Sequence, residues 1–269
     1  MKSLLRLFRT AYEYLILYLG LLYFAVVGVA FTALCAVLYL VLPHKAGVWF
    51  GRNAIGLLFR SYLAMLRATG LMKLDLTALD SLRGESGLIV APNHPCLLDA
   101  VFVISRLPNI ACIMKAEIRD SIVLGGGARL AGYIRNDTAG NMVREAAREL
   151  RAGQQLLVFP EGTRTRKGPV NRFKGGFALI AKQSGTPLQT VFIETNSPFL
   201  SKGWPILKKP ELPLIYRARL GKRFEVSGNV KSFVSELEAY YRQELEPQPA
   251  RQTSTENAAP GVEGSATAS

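Results

Sequence analysis

Residues 88–100 read LIVAPNHPCLLDA, and the fold assignment rests on this stretch. The apolar run Leu88–Ala91 predicts a buried strand, and the residues from Leu97 onward predict a helix. The loop between them carries His94, and Asp99 follows five residues later, in the first turn or so of that helix. Open α/β folds place their sites in loops at the carboxyl ends of strands. The stretch therefore predicts an α/β fold with a site built on His94 and Asp99.

Short apolar runs and helical stretches alternate through the rest of the chain from Gly70. Further strands are expected at Ile110–Met114, Leu156–Phe159, Leu188–Ile193 and Ile215–Leu220. Helices are expected at Leu97–Leu107, Thr138–Arg151, Gly176–Ser184 and Val230–Leu245. This alternation predicts a mixed, largely parallel sheet flanked by helices. Residues 70–246 are expected to form this domain, and residues 247–269, which lack aromatic side chains, to form a disordered tail.

The N-terminal region, residues 1–69, predicts membrane attachment. From Leu15 to Leu42 the chain runs for 28 residues without a charge, enough for a helix of about 42 Å against an apolar bilayer core of about 30 Å. One tilted membrane helix fits, and so does a helical hairpin or re-entrant segment bent near Gly20 or Gly28. A cleaved signal peptide fits poorly, because its apolar region is usually about 7–15 residues long.

The segment that follows, Val48–Thr69, mixes apolar and basic residues. Arg52, Arg60 and Arg67 recur at spacings of eight and seven, which places them on one helical face. We interpret this as an interfacial helix with a basic stripe. The alternative is the solvated face of an ordinary packed helix.

The overall charge indicates an anionic partner. Thirty-three lysines and arginines against 20 acidic residues give a formal net charge of +13, which favours phospholipid surfaces, phosphorylated substrates or nucleic acid. The sequence shows no nucleic-acid-binding module, so membrane lipid is the expected partner. The three cysteines, Cys35, Cys96 and Cys112, have no metal-site spacing, which favours a reduced cytosolic environment and no metal.

His94 and Asp99 suit general-base chemistry if the loop folds back. The Asp99 carboxylate would then accept from one ring nitrogen, which fixes the tautomer and leaves the other nitrogen free to take a proton. A histidine and an aspartate at this separation also occur by accident or for structural reasons. A second polar cluster favours the catalytic interpretation of this pair.

That second cluster, LLVFPEGTRT at residues 156–165, runs from a strand into a polar turn. Gly162 permits a tight turn or a close backbone approach, and the Arg164 fork suits phosphate oxygens. Glu161 could orient a guanidinium or bind an acceptor hydroxyl. Standing alone, the segment would also fit a surface loop with ordinary ion pairs.

Together the two clusters resemble the glycerophospholipid acyltransferase family, typified by bacterial lysophosphatidic acid (1-acylglycerol-3-phosphate) acyltransferases. His94 and Asp99 match the HxxxxD motif of that family, and FPEGTRT at residues 159–165 matches its phosphate-binding motif. Residues 132–135, GYIR, resemble its second block, and Lys115 with Glu117 resembles its Lys-x-Glu segment.

The resemblance implies an O-acyltransferase that moves a fatty acyl group from acyl-CoA or acyl carrier protein to the hydroxyl of a lysophospholipid in phospholipid biosynthesis. His94 and Asp99 would be catalytic, and no cofactor or metal would be needed. The expected substrate-binding residues are Glu161, Gly162, Thr163, Arg164, Arg135 and Lys115. The resemblance also implies a bacterial inner-membrane protein whose catalytic domain, residues 70–246, lies on the cytoplasmic side.

The sequence departs from the family pattern in its fourth block, where Thr190 stands near the place of a second proline. This leaves the acceptor open: a lyso-ornithine lipid or a secondary-metabolite acyl chain are alternatives, as is a non-catalytic lipid-binding protein. Cys96 near His94 admits a thioesterase reading, although a nucleophile so close to its base would be strained. Gly125-Gly126-Gly127 could cradle a phosphate or form a flexible turn, but it lacks the Lys-Ser/Thr ending of a P-loop.

Overall fold

The computed structural model describes residues 2–121 and 125–246, so the tail expected at residues 247–269 lies outside the described residues. The helices are α1 Lys2–Val41, α2 His44–Ala68, α3 Asp99–Arg106, α4 Ala116–Arg119, α5 Gly125–Leu130, α6 Ala139–Arg151, α7 Gly176–Ser184 and α8 Val230–Leu245. The strands are β1 Met72–Asp75, β2 Leu88–Pro92, β3 Ala111–Lys115, β4 Ile134–Asn136, β5 Gln155–Leu157, β6 Leu188–Thr195 and β7 Leu214–Phe224. A 3-10 helix, Thr77–Leu82, follows β1.

The seven described strands form one sheet in the order β1-β7-β6-β2-β5-β3-β4. Only the β6–β7 pair within it is antiparallel, which confirms the expected mixed, largely parallel sheet. Strand β2 lies in the middle, between β5 and β6. The loop after β2 therefore opens at the centre of the carboxyl edge of the sheet.

Helices cover both faces of the sheet. Leu88 and Val90 of β2 contribute to a core that includes α2 and α3, whereas Ile89 and Ala91 contribute to a core with α6, α7 and α8. Successive side chains of a strand point to opposite faces, so a continuous apolar run is what a strand buried on both faces requires. The run Leu88–Ala91 meets this requirement.

The expected strands and helices are present, with shifted ends: β5 stops at Leu157 and α3 begins at Asp99. Strands β1 and β4 and the short helices α4 and α5 were not expected. Strand β4 has three residues, and only Met72 of β1 is buried. Segments this short are stabilised by pairing with a neighbouring strand, which a local apolar pattern does not reveal.

The N-terminal region forms two antiparallel helices. Helix α1 passes through Gly20 and Gly28 without interruption, so the expected bend near those glycines is wrong; the chain turns instead at Pro43. Tyr12 of α1 donates a hydrogen bond to the carbonyl of Thr69, just after α2. Within the described residues, α1 alone is long and apolar enough to cross a membrane, by length and composition.

The three glycines Gly125-Gly126-Gly127 stand at the start of helix α5, and Gly126 and Gly127 pack against α1. A Cβ on Gly126 would lie 2.3 Å from the carbonyl oxygen of Thr32. The expectations of a phosphate cradle or a flexible turn are therefore both wrong, because these glycines let two helices approach closely. Helix α1 is consequently packed along the α/β domain.

The basic stripe expected on α2 is also wrong for one of its members. Arg60 and Arg67 are exposed, but Arg52 is 1% exposed. Its guanidinium donates to the carbonyl of Ala131 and pairs with Glu149 at 2.9 Å. Residues 48–69 are largely helical as expected. The first turns of α2 pack against the α/β domain, however, so Arg52 is buried there and does not face a lipid surface.

Candidate active site

The loop after β2 brings His94 and Asp99 together as the sequence predicts. His94 Nδ1 lies 2.8 Å from Asp99 Oδ2, and Asp99 is fully buried at the start of α3. Burial raises the pKa of the Asp99 carboxyl, while hydrogen bonds from His94 and Cys96 oppose that rise. With Nδ1 held by the carboxylate, Nε2 is left to exchange a proton.

The His94 ring is fixed on a second side by an aromatic contact. It stacks on Phe159, with ring centroids 3.9 Å apart and an interplanar angle of 18°. The His94 side chain remains 16% exposed. The imidazole is therefore held in one orientation and still reachable by a substrate.

Glu161 joins the two motif loops through the His94 backbone. Its carboxylate accepts from His94 N at 2.9 Å, from Thr165 Oγ1 and from Asn171 N, and Thr165 N donates to the carbonyl of His94 at 2.7 Å. Burial raises the pKa of Glu161, opposed by these hydrogen bonds. The donors to Glu161 are backbone N–H groups and a hydroxyl, with no guanidinium among them. In this arrangement Glu161 braces the loop that carries His94, and binding of an acceptor hydroxyl by Glu161 stays a prediction.

Cys96 is a structural neighbour of the pair. Its Sγ donates to Asp99 Oδ1 at 3.1 Å, and the side chain is 1% exposed. Burial, together with the Asp99 charge, raises the pKa of the thiol well above its usual range. A thiol that is buried and protonated is a poor nucleophile, so the thioesterase alternative loses its support.

The expected phosphate-binding segment, FPEGTRT at residues 159–165, turns sharply after β5. Gly162 has φ +66°, which confirms the expected tight turn. A Cβ there would lie 2.9 Å from Cδ of the Lys174 side chain. Arg164 donates through Nη1 to the carbonyls of Leu200 and Ser201, at 2.8 and 3.1 Å. Its Nε and Nη2 are not used in these bonds and can serve a ligand.

Comparisons with known proteins agree with this geometry. A family model described as Acyltransferase matches residues 73–194, which include both motif loops. The part of the chain that carries the candidate site is therefore similar in sequence to acyltransferases.

Two curated proteins are similar to part of this chain. A 1-acyl-sn-glycerol-3-phosphate acyltransferase from Limnanthes douglasii is 35% identical over 107 residues, covering 37% of this chain and 38% of that protein. A lyso-ornithine lipid O-acyltransferase from Pseudomonas aeruginosa is 31% identical over 114 residues, covering 38% of this chain and 44% of that protein. The chain thus spans about four tenths of the length of the curated relatives it matches.

The fold has a counterpart among solved structures. The 1-acyl-sn-glycerophosphate (LPA) acyltransferase from Thermotoga maritima superimposes with a TM-score of 0.66 at 19% identity, covering 90% of this chain and 96% of that one. At this identity the likeness shows a shared fold.

Two expected phosphate ligands lie on neighbouring strands of the sheet. Lys115 ends β3 and is exposed. Arg135 of β4 forms ion pairs with Asp120 at 2.7 Å and Asp137 at 3.1 Å. Arg135 is therefore already neutralised by two carboxylates, unlike Lys115 and Arg164.

The α/β domain brings two further lysines to this site that the motifs did not reveal. Lys202 Nζ donates to Thr163 Oγ1 at 3.0 Å, and the Lys174 side chain lies against Gly162. Lys174 stands ten residues beyond Arg164, and Lys202 lies in the loop after β6, outside every motif. Only the tertiary fold brings them together.

The backbone around His94 is fully engaged. The N–H groups of His94 and Cys96 donate to Glu161 and Asp99, and that of Leu97 donates to the carbonyl of Leu200. Pro95 has no N–H group. These backbone N–H groups are thus already paired within the protein and are not free to stabilise an oxyanion. Among residues 2–121 and 125–246, no group of three or more His, Cys, Asp or Glu side chains could hold a metal.

Proposed function

We propose that the protein transfers a fatty acyl group from a thioester donor, acyl-CoA or acyl carrier protein, to the free hydroxyl of 1-acylglycerol-3-phosphate. The observation that carries this proposal is the His94–Asp99 pair, 2.8 Å apart, locked to a loop that presents cationic side chains. A general base beside a phosphate site is what a phosphorylated hydroxyl acceptor requires.

In the proposed reaction His94 Nε2 takes the proton of the acceptor hydroxyl while its oxygen attacks the thioester carbonyl. Asp99 keeps the ring in position and stabilises the imidazolium that forms. The tetrahedral intermediate then breaks its C–S bond, and the departing thiolate takes the proton back. The products are the ester and the free thiol, so the proposed steps form no covalent acyl-enzyme.

The acceptor phosphate is proposed to bind Arg164, Thr163 and Lys115. Arg164 offers the two guanidinium nitrogens that the carbonyls of Leu200 and Ser201 leave unused. Lys115 contributes a point charge from the end of β3. Arg135, paired with Asp120 and Asp137, would act through the local field or after exchanging a partner.

Membrane attachment is proposed to bring the acceptor to this site. Helix α1 is apolar over most of its length and mostly outside the packed core, which supports a membrane protein. We propose the bacterial inner membrane, with the catalytic domain on the cytoplasmic side, where thioester donors are made.

A second candidate acceptor, a lyso-ornithine lipid, is favoured by the Pseudomonas aeruginosa relative. An ornithine headgroup carries a carboxylate and a cationic amine but no phosphate, so its net charge is near zero and it fits a strongly cationic site less well than a phosphate monoester. The test is an acceptor screen: purified full-length protein receives acyl-CoA or acyl carrier protein together with 1-acylglycerol-3-phosphate, monoacylglycerol or lyso-ornithine lipid. Product formation with 1-acylglycerol-3-phosphate at a much higher kcat/KM supports the proposal, and preference for either other acceptor contradicts it.

A further inference from the structure

The loop after β6 connects the candidate active site to helix α1. We call residues 200–209 of this segment the β6 loop. At its start, the carbonyl of Leu200 accepts from Leu97 N at 3.1 Å and from Arg164 Nη1 at 2.8 Å. Leu200 has φ +56° and is the one non-glycine residue with positive φ in the described part of the chain. Such strained positions tend to occur where function fixes the backbone.

The other end of the β6 loop is held by α1. Tyr18 donates to the carbonyl of Leu207 at 3.3 Å, and Lys209 forms an ion pair with Glu13. The side chains of Ile206 and Leu207 are exposed beside that helix. The β6 loop thus lies between the apolar helix and the loop that carries His94.

Lys202 lies near the active-site end of the β6 loop and faces residues 159–165. Its Nζ lies 3.0 Å from Thr163 Oγ1. Desolvation is the largest cause that lowers the pKa of Lys202. The positive charges of four neighbouring side chains lower it further; they are Arg166, Lys115, Arg164 and Lys174.

Across residues 2–121 and 125–246, none of these five cations forms an ion pair with a carboxylate. Like charges held close together repel one another. A bound anion would offset that repulsion, so these five side chains favour the binding of an anion. A phosphate monoester, with a charge of roughly −1.5 to −2 at neutral pH, suits several cations better than one.

We propose that Lys202 is a further ligand of the acceptor phosphate, supplied by the β6 loop and held in place by α1. The inference rests on the proposed function, because it takes the bound anion to be the phosphate of a single-chain lipid acceptor. It adds a binding residue outside the motifs. It also adds a reason for α1 to pack on the domain: a shift of α1 moves the loop that carries Lys202.

The test uses full-length protein in lipid nanodiscs and the probe hexadecyl phosphate. This amphiphile has one chain and a phosphate monoester but no free hydroxyl, so it can bind without reacting. Lys202→Met should weaken its binding by roughly 5- to 20-fold, and Lys202→Arg should restore part of the loss. Lys208→Met, on the same loop but over the Trp204 ring, is the matched control and should leave binding unchanged.

Binding of hexadecanol and of free CoA is measured for the same variants as two further comparisons. Hexadecanol binding should not respond to Lys202→Met, because it has no phosphate. Equal effects of Lys202→Met and Lys208→Met on hexadecyl phosphate would overturn the proposal. So would a loss confined to CoA, which would assign Lys202 to the donor. If wild-type protein binds hexadecyl phosphate through Lys202 but does not acylate 1-acylglycerol-3-phosphate, the proposed function fails while the role of Lys202 as a phosphate ligand stands.

Discussion

At the scale of single residues, the sequence predicted the loop that carries His94 and the turn at residues 159–165, because the functional groups of each lie within one short stretch of chain. His94 and Asp99 are five residues apart, and a turn into a helix is enough to make them meet. Glu161 could not be interpreted in this way. Its hydrogen bonds to the backbone of His94 and Asn171 cross between separate segments, so only the folded chain shows that it is a brace.

The bracing role of Glu161 predicts a combined loss of stability and activity. In Glu161→Gln one carboxylate oxygen becomes an amide donor facing the backbone N–H groups of His94 or Asn171. A buried donor left without an acceptor costs about 1–3 kcal/mol, so the melting temperature should fall, and kcat should fall with it. Glu145→Gln, on exposed α6 surface, is the control. A variant with normal stability and only a raised acceptor KM would instead return Glu161 to substrate binding.

Arg164 should show the signature of a ground-state contact. A phosphate held equally in ground and transition states contributes uniform binding, and its loss raises KM more than it lowers kcat. A charge-assisted hydrogen bond is worth about 1.5–3 kcal/mol, so Arg164→Ala should raise the acceptor KM about 10- to 150-fold. Arg164→Lys should restore the acceptor KM only in part, because lysine keeps the positive charge but lacks the bidentate guanidinium geometry. Steady-state kinetics for both substrates would check this, and a raised donor KM with an unchanged acceptor KM would assign Arg164 to the thioester.

At the scale of elements, periodicity identified those strands and helices that are long and buried. It failed where neighbours decide the structure. Strand β4 exists by pairing with β3, the three glycines are helical because α1 needs a close approach, and Arg52 is buried although its spacing suits a stripe. The conformation of each of these segments depends on residues far away in sequence.

The packing of α1 on α5 gives a prediction at this scale. Gly126→Ala would place a Cβ 2.3 Å from the Thr32 carbonyl oxygen, so the helices must separate. Overpacking of this kind typically costs about 1–3 kcal/mol. Gly140→Ala is the matched control, because Gly140 is also helical and has nothing within 4 Å of its Cβ position; it should be neutral or stabilising by up to about 1 kcal/mol. Thermal unfolding in detergent compares the two, and equal melting temperatures would contradict the close α1–α5 contact.

At the scale of the whole molecule, an apolar helix and a cationic site lie on one rigid α/β scaffold. The sequence predicted the scaffold, the membrane helix and the excess positive charge, because each is a property of long stretches. It did not predict that α1 would pack along the domain and hold the β6 loop. That contact depends on Glu13, Tyr18, Leu207 and Lys209, which no motif contains. The proposed membrane helix and the proposed phosphate site are thereby connected in one structure.

The central claim is that His94 acts as the base in direct acyl transfer, and one rate measurement tests it. Thiol release from acyl-CoA is followed with and without 1-acylglycerol-3-phosphate, for wild-type protein and for His94→Ala. The account predicts rapid, acceptor-dependent release by the wild type. It predicts a kcat lower by roughly 10²–10⁴-fold in His94→Ala, with binding of the acyl donor nearly unchanged. Retention of most of the wild-type kcat by His94→Ala, or thiol release by the wild type that does not depend on the acceptor, would contradict it.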